Sequence, residues 1–476
     1  MTTKLFPATK ALPILFLTEM WERFGFYIVQ GLLVLYMTNH FGYSDNESFT
    51  LLGVFTALAY VSPLPGGFIA SRLIGYQTCI VWGGLFLVIG YALLALPFAK
   101  LLLYPALATI IIGNGLFKPN ISSLLGTQFE ANDPRRDSGY TLFYIGINLG
   151  ALLAGLSSGY VKDYYGWQVS FSLASVGLII GLLTFAFGRH RLRETPLPNV
   201  ASAQLKRQLF LYCLLALIGV CFLLHITALA NWLLPCIGAG LIVFLVILTL
   251  QQNHSYQKNM FVLSTLIISS VVFWMLMLQM FYSANLFIER LVDKQLLGIP
   301  LSSTVFWGSE SIFIILLGPF FAMSWQSLGE NAKNPSPLSK FMLGIVITGI
   351  GFLILAASTL FPNHHGLVHP LWIFLAYLFI TIGELFISPI GLSAISMLAP
   401  PNLIGLMMGT WFVATGFGGI FAGLIAQLAS LPRSVVAVSD KLAIYQNAFL
   451  HYSYIAFFVA IFLFFTRFVV KKYRPL

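Results

Sequence analysis

The sequence predicts an all-α polytopic membrane protein, and three observations carry that prediction. Of the 476 residues, 58% are hydrophobic and 8% charged, whereas a soluble domain carries about 25% charged residues. The chain therefore cannot cover a water-facing surface. Its apolar residues gather into runs that reach the roughly 20 residues a helix needs to cross a bilayer, and the roughly ten-residue alternating segments of a membrane β-barrel are not visible. The basic residues between those runs also fall mainly on one side.

In order, apolar spans are expected at 14–38, 50–71, 78–98, 101–126, 138–161 and 168–188. The first follows Lys4 and Lys10 and continues into a full span, so no cleavable signal peptide is expected. A basic stretch, "GRHRLRETPLPNVASAQLKRQ", comes next, then two spans near 209–228 and 231–251. After "QQNHSYQKN" six more are expected, near 260–289, 304–326, 340–361, 370–398, 403–430 and 446–470. With the N-terminus in the cytoplasm, seventeen Lys and Arg fall on inner segments and six on outer ones. That bias orients both termini inward. It also accounts for most of the net charge of +10 without a nucleic acid partner. Six, two and six spans divide the chain into 1–190, 191–258 and 259–476. Two six-helix halves suggest a transporter with a site near the midplane. Nothing in the two extra spans is charged, and they are assigned no chemistry. Cys79, Cys213, Cys221 and Cys236 lack metal-type spacing and are expected to be packing residues.

Most of the fifteen acids fall in loops or at span edges; Glu19, Glu22, Glu310 and Glu384 fall deep in spans, as do the bases Arg23 and Lys118. A lone ionised group at the bilayer centre costs about 2.5–3.5 kcal/mol or more, so these groups must pair or line a wet cavity. Glu19 and Arg23 stand at i, i+4 and Glu19 and Glu22 at i, i+3, which places all three on one helix face, with Trp21 and Phe24 elsewhere. A structural ion pair locking the first helix is one reading. The other is a proton relay: two acids against one Arg leave a surplus acid, Lys118 is available to supply the missing charge, and a carboxyl's affinity for a proton depends on whether its cation is near.

These residues also carry a resemblance. "EMWERF" resembles the ExxER motif of the proton-coupled oligopeptide transporters, the peptide branch of the major facilitator superfamily. "GNGLFKPN" (113–120), "DPRRDSGYTLFYIGINLGA" (133–151), "GELFISPIGLSAISMLAP" (383–400) and "MGTWF" (408–412) are similar to its fourth-, fifth-, tenth- and eleventh-span motifs, in order along nearly the whole chain. The resemblance implies a major facilitator fold of twelve core helices plus the two extra ones. It implies a symporter, not an enzyme, that imports di- and tripeptides across a bacterial inner membrane with the proton as coupling ion. No other cofactor and no metal is expected, and the protein is expected to be monomeric. Lys118 would meet the peptide carboxylate, with Arg23 close by, and Glu384 the amino group. Tyr27, Tyr60 and Asn148 would hydrogen-bond the peptide. Ser388 and Trp411 would shape the pocket, and Glu19 and Glu22 would carry or relay the proton. The residue types agree: a zwitterion needs a cation and an anion, and at about 3.3–3.6 Å per residue only a short peptide reaches both ends of a closed site. Plainer readings stand beside these. Tyr60 and Trp411 also suit packing, Asn148 suits an interhelical bond, and Ser388 suits satisfying backbone next to Pro389.

The chain departs from the family's pattern in several places. Phe26 stands where a second tyrosine is usual and Gln30 where many members carry Arg; some enteric-type members share the Gln, which points to a subgroup. Glu310 replaces a usual Asn in the eighth span, either as a neutral acid or as a site for a cationic group, with Ser309 and Ser311 expected to form a wet polar collar around it. Leu278 stands where some members carry an acid, and Glu289 loses its usual Arg partner. Ser71, Gln77 and Thr78 depart from the charged signature of the loop after the second span. The alternatives are a transporter of a related peptide-like or amino-acid-conjugate solute, which Glu310 favours, and a non-transporting peptide sensor, which the altered loop favours. A membrane enzyme fits least: no metal cluster is visible, and His364 and His365 fall in an expected external loop.

Overall fold

The computed structural model describes residues 11–129, 135–193, 202–331 and 333–472. Lys4, Lys10 and Arg474 of the charge asymmetry, Asp133 at the start of the fifth-span motif and the centre of the basic stretch lie outside the described residues. Among the described residues, twelve helical segments are long and apolar enough to cross a membrane. Two more long helices complete the fourteen that were expected: α1 (Leu12–Leu35), which carries Glu19, Glu22 and Arg23, and α9 (Thr227–Leu250). Many of their apolar side chains face outward, among them Leu85, Phe187, Ile218 and Phe465. Such a surface suits lipid and not water.

The chain forms two compact units. The first holds the residues up to Tyr36 together with Leu58–Thr227. It contains α1, α3 (Pro63–Ile69), α4 (Tyr76–Leu94), α5 (Ala99–Gly126), α6 (Arg136–Tyr165), α7 (Trp167–Gly188) and α8 (Ala203–His225). In it α1 packs on α6 and α7, and α4 on α5 and α7. The first of the extra helices, α8, lies on α5. There Leu209 and Cys213 join Ile74, Cys79, Phe86 and Leu116 in a buried cluster. Cys79 and Cys213 are thus packing residues, whereas Cys236 is exposed.

The second unit holds Met37–Ala57 and the chain from Ala228 onward. Its helices are α9, α10 (His254–Met277), α11 (Ser283–Leu291), α12 (Ser303–Glu330), α13 (Pro337–Ser358), α14 (Pro370–Leu398), α15 (Ile404–Ala426) and α16 (Val438–Lys472). The N-terminal part of α2 (Asp45–Val61) belongs here for stated reasons. Arg290 grips Asp45 through two bonds of 2.7 Å, the Leu431 N–H donates to the same carboxylate at 3.0 Å, and the Tyr282 hydroxyl donates to Thr56 Oγ1 at 2.9 Å. The span expected at 260–289 is broken: α10 ends at Met277, a 3-10 turn occupies Leu278–Met280, and α11 starts at Ser283. Buried polar side chains bond to the interrupted region and its neighbours, as a broken helix at membrane depth requires. The Gln279 amide donates to Ala422 O at 2.9 Å and accepts from Ser283 Oγ at 2.6 Å.

Candidate functional site

The first cluster is built on α1. Its apolar face holds Trp21 and Phe24 edge to face at 5.5 Å, and both rings lie against Gly177 of α7. On the α6 side, a Cβ at Gly150 would stand 3.0 Å from Phe24 N and collide with Met20 O. Only glycine lets α6 approach this closely. Glu19, Glu22 and Arg23 are thereby sealed, each 2% exposed or less.

Within this seal the i, i+4 pair of Arg23 and Glu19 forms, and a closer pair forms beside it. Arg23 takes its immediate neighbour, Glu22, in a two-point grip of 2.5 and 2.7 Å, while Glu19 stands at 3.5 Å. The planar guanidinium matches a carboxylate best through two parallel bonds, and both side chains are long enough to curl together from adjacent positions. Arg23 also donates to Asn114 Oδ1 at 3.2 Å, and Asn114 in turn donates to Ala59 O at 2.6 Å. Glu19 Oε2 is buried with no hydrogen-bond partner among the described residues. The surplus acid is therefore Glu19.

Lys118 of α5 makes no ion pair among the described residues. Its ammonium lies 4.6 Å from the centroid of the Tyr60 ring, a cation–π contact, and it interacts with Arg23, Glu22 and Glu19 through space only. Tyr27 is half-buried. Asn148 donates to Tyr144 O on its own helix at 3.0 Å.

The second cluster lies in the second unit, on α12 and α14. Glu310 and Glu384 are both buried on helices that pack together, and they interact electrostatically. Glu384 Oε2 and the Tyr377 hydroxyl are buried without hydrogen-bond partners among the described residues, and Tyr377 interacts electrostatically with Glu310. Gly383 sets the position of Glu384: a Cβ there would come within 2.7 Å of Gly344 O, so α13 and α14 meet backbone to backbone. Ser309 and Ser311 are buried, and Ser309 donates to Phe306 O at 2.6 Å. Ser388 is half-buried. Trp411 is buried with its ring against Gly391 and 6.2 Å from the Phe341 ring.

Asn114 and Tyr377 received no role from the sequence, yet both carried a signal. Asn114 precedes Lys118 by four residues and Tyr377 precedes Glu384 by seven, so each shares a helix face with a deep charge.

A sequence model described as the POT family matches residues 77–442. The "Dipeptide and tripeptide permease A" of Yersinia pestis is 34% identical over 474 residues, covering 98% of this chain and 94% of that protein. The chain belongs to the POT family. The "Dipeptide and tripeptide permease B" of Xenorhabdus bovienii is similar at 35% identity, covering 92% of this chain and 90% of that one. A crystal structure of a peptide transporter POT mutant in complex with alafosfalin matches with a TM-score of 0.85 at 29% identity, covering 97% of this chain and 95% of that chain.

As a POT-family protein the chain is a transporter and not an enzyme, a multi-pass inner-membrane protein with the major facilitator fold. Its departures from the POT pattern now have structural content. Phe26 gives up a hydroxyl but lies under the Arg23 guanidinium, 4.7 Å from ring centroid to Cζ. Glu289 is not left without a partner: Lys294 pairs with it at 3.2 Å, and Ser303 donates to the same oxygen. The acid at 310 is the departure that changes local chemistry, because it puts a second carboxyl against Glu384.

Proposed function

We propose that the protein imports di- and tripeptides in symport with protons by alternating access, as a monomer with both termini in the cytoplasm. The observation that carries this reading is the sealed set on α1, in which Arg23 is satisfied by Glu22 and Glu19 is left over. A buried, titratable carboxyl that its cation holds less closely than it holds a second acid is what a proton carrier requires. With Glu19 ionised, Glu19, Glu22, Arg23 and Lys118 sum to zero charge. Protonation of Glu19 leaves Lys118 uncompensated, and the carboxylate of an incoming peptide restores neutrality. Proton and peptide thereby favour one another's binding, which is the thermodynamic content of symport. Under this reading Lys118 takes the peptide carboxylate and Glu384 the amino group. Tyr27, Tyr60 and Asn148 contribute hydrogen bonds, while Ser388, Trp411 and Glu310 form the wall of the second half. The proton is the coupling ion, and no other cofactor or metal is needed.

The test is uptake of a labelled dipeptide into liposomes containing the purified protein, with an imposed pH gradient, acid outside. Accumulation above equilibrium that collapses with a protonophore is expected. Peptide equilibration indifferent to the gradient would refute the coupling, and no peptide entry at all would refute the substrate class.

A further inference from the structure

A cavity in the second unit lies away from the charges that the transport reading uses. Its volume is about 790 Å³, inside the range of roughly 300–1,000 Å³ typical of small-molecule pockets. Four helices border it: α10 and α13 start there, and α14 and α16 finish there. Met397, on its wall, stands thirteen residues past Glu384 on α14, which is about 20 Å along a helix. The lining combines two chemistries. Lys258 of α10 and Arg467 of α16 supply positive charge, Asn334 adds an amide before the start of α13, and among the described residues no acid lines the cavity. Arg467 makes no hydrogen bond, ion pair or ring contact among the described residues, so its five N–H donors are uncommitted. The N-terminus of α13 adds the positive end of a helix dipole. The rest of the wall is apolar: Val262, Leu343 and Met397 line it, and the last two are 40% and 62% exposed. A soluble anion needs only the first chemistry and a neutral lipid only the second. Both together suit an amphiphile with an anionic head and an apolar tail.

We propose that this cavity binds one anionic phospholipid from the surrounding bilayer, its phosphodiester held by Lys258 and Arg467 and an acyl chain lying along Leu343 and Met397. Charge complementarity selects the head. A phosphodiester is a fixed anion; a guanidinium grips phosphate oxygens through two parallel bonds, and an ammonium adds a point charge. Basic pockets between membrane helices recognise lipid heads in this way, and each Lys or Arg beside an anionic lipid contributes about fivefold in affinity, so that two contribute about thirtyfold. Lipid bound there joins the ends of four helices of the second unit. The inference goes beyond the transport reading and does not depend on it, because neither the α1 cluster nor Glu310 or Glu384 lines the cavity.

The experiment is native mass spectrometry of the purified full-length protein in a neutral detergent, titrated with phosphatidylglycerol or with phosphatidylcholine of the same acyl chains, to give a Kd for the first lipid bound. Wild type is expected to bind phosphatidylglycerol more tightly. Lys258→Ala and Arg467→Ala should each weaken it about fivefold and the double variant about thirtyfold, while phosphatidylcholine binding stays unchanged. Both side chains are exposed, so their removal leaves the packed interior in place. Arg207→Ala removes an exposed charge from α8 of the first unit and should have no effect. Glycerol 3-phosphate, a phosphate head without tails, should not displace the lipid at equal concentration. Equal affinity for the two lipids overturns the inference. So does an Arg207→Ala loss as large as that of Arg467→Ala, which would mean general surface charge, or displacement by glycerol 3-phosphate, which would mean a soluble anion. Each of these outcomes leaves the peptide reading standing, because no peptide or proton gradient enters the measurement.

Discussion

Replacing Glu19 and Glu22 one at a time by Gln separates the carrier from the anchor. In Glu22→Gln, Arg23 loses a two-point carboxylate grip of 2.5 and 2.7 Å and keeps one neutral acceptor at position 22 besides Asn114 Oδ1. Charge-assisted bonds contribute about 1.5–3 kcal/mol and neutral ones about 0.5–1.5, so a loss of roughly 2 kcal/mol is expected. The full penalty for orphaning a buried charge, about 3–5 kcal/mol, does not apply, because Glu19 stands 3.5 Å away and can take over. Doing so pins Glu19 in its ionised form. In Glu19→Gln the Arg23–Glu22 grip is untouched, and what is lost is one contact at the outer limit of bonding geometry plus a buried oxygen with no partner. That costs less than Glu22→Gln, because the two-point grip remains. Both variants should fail to accumulate peptide on a proton gradient, since neither retains a carboxyl that is free to titrate, and both should keep counterflow, which needs only binding and reorientation. Thermal unfolding in detergent should rank Glu22→Gln clearly below Glu19→Gln. Gradient-driven accumulation surviving in Glu19→Gln, or the reverse stability order, would refute the assignment of anchor and carrier.

Further expectations follow from the same geometry. Lys118→Ala should weaken free-carboxylate peptides by roughly ten- to a hundredfold, from a charge-assisted bond of about 1.5–3 kcal/mol, and leave amidated peptides nearly unaffected in a competition assay. Glu384→Ala should do the same for free-amine against acetylated peptides; equal losses for blocked and unblocked peptides count against end recognition. Asp45→Asn replaces the two-point contact to a partly exposed Arg290 and should cost about 1–2 kcal/mol of stability, read as a lower midpoint in thermal unfolding. Gly150→Val places side-chain atoms against Met20 O and Phe24 N; a penalty of about 3 kcal/mol or more should appear as loss of folded protein in size-exclusion profiles, and normal folding would show that α6 is free to move away from α1.

The class of the protein and the positions of its spans were legible in the residues themselves because the bilayer is the same solvent for every segment. Each helix must satisfy its backbone internally and match one thickness, so hydrophobic run length is a local and sufficient signal. The expected 370–398 coincides with α14, and most other ends agree to within a few residues. Deep charges were legible for the same reason: Glu19, Glu22, Arg23, Lys118, Glu310 and Glu384 are costly in lipid wherever they point. Who pairs with whom was not legible. Helical spacing put Glu19, Glu22 and Arg23 on one face, but only the structure shows that Arg23 grips Glu22 at two points, holds Glu19 at 3.5 Å and reaches Asn114 of α5. Glu310 and Glu384 stand on separate helices, and they come near one another because α12 packs on α14 while the glycines of α13 and α14 let those two helices meet. The break between α10 and α11 is likewise a tertiary outcome. An apolar run reads as one helix until a partner such as Ala422 offers the acceptor that its buried glutamine requires.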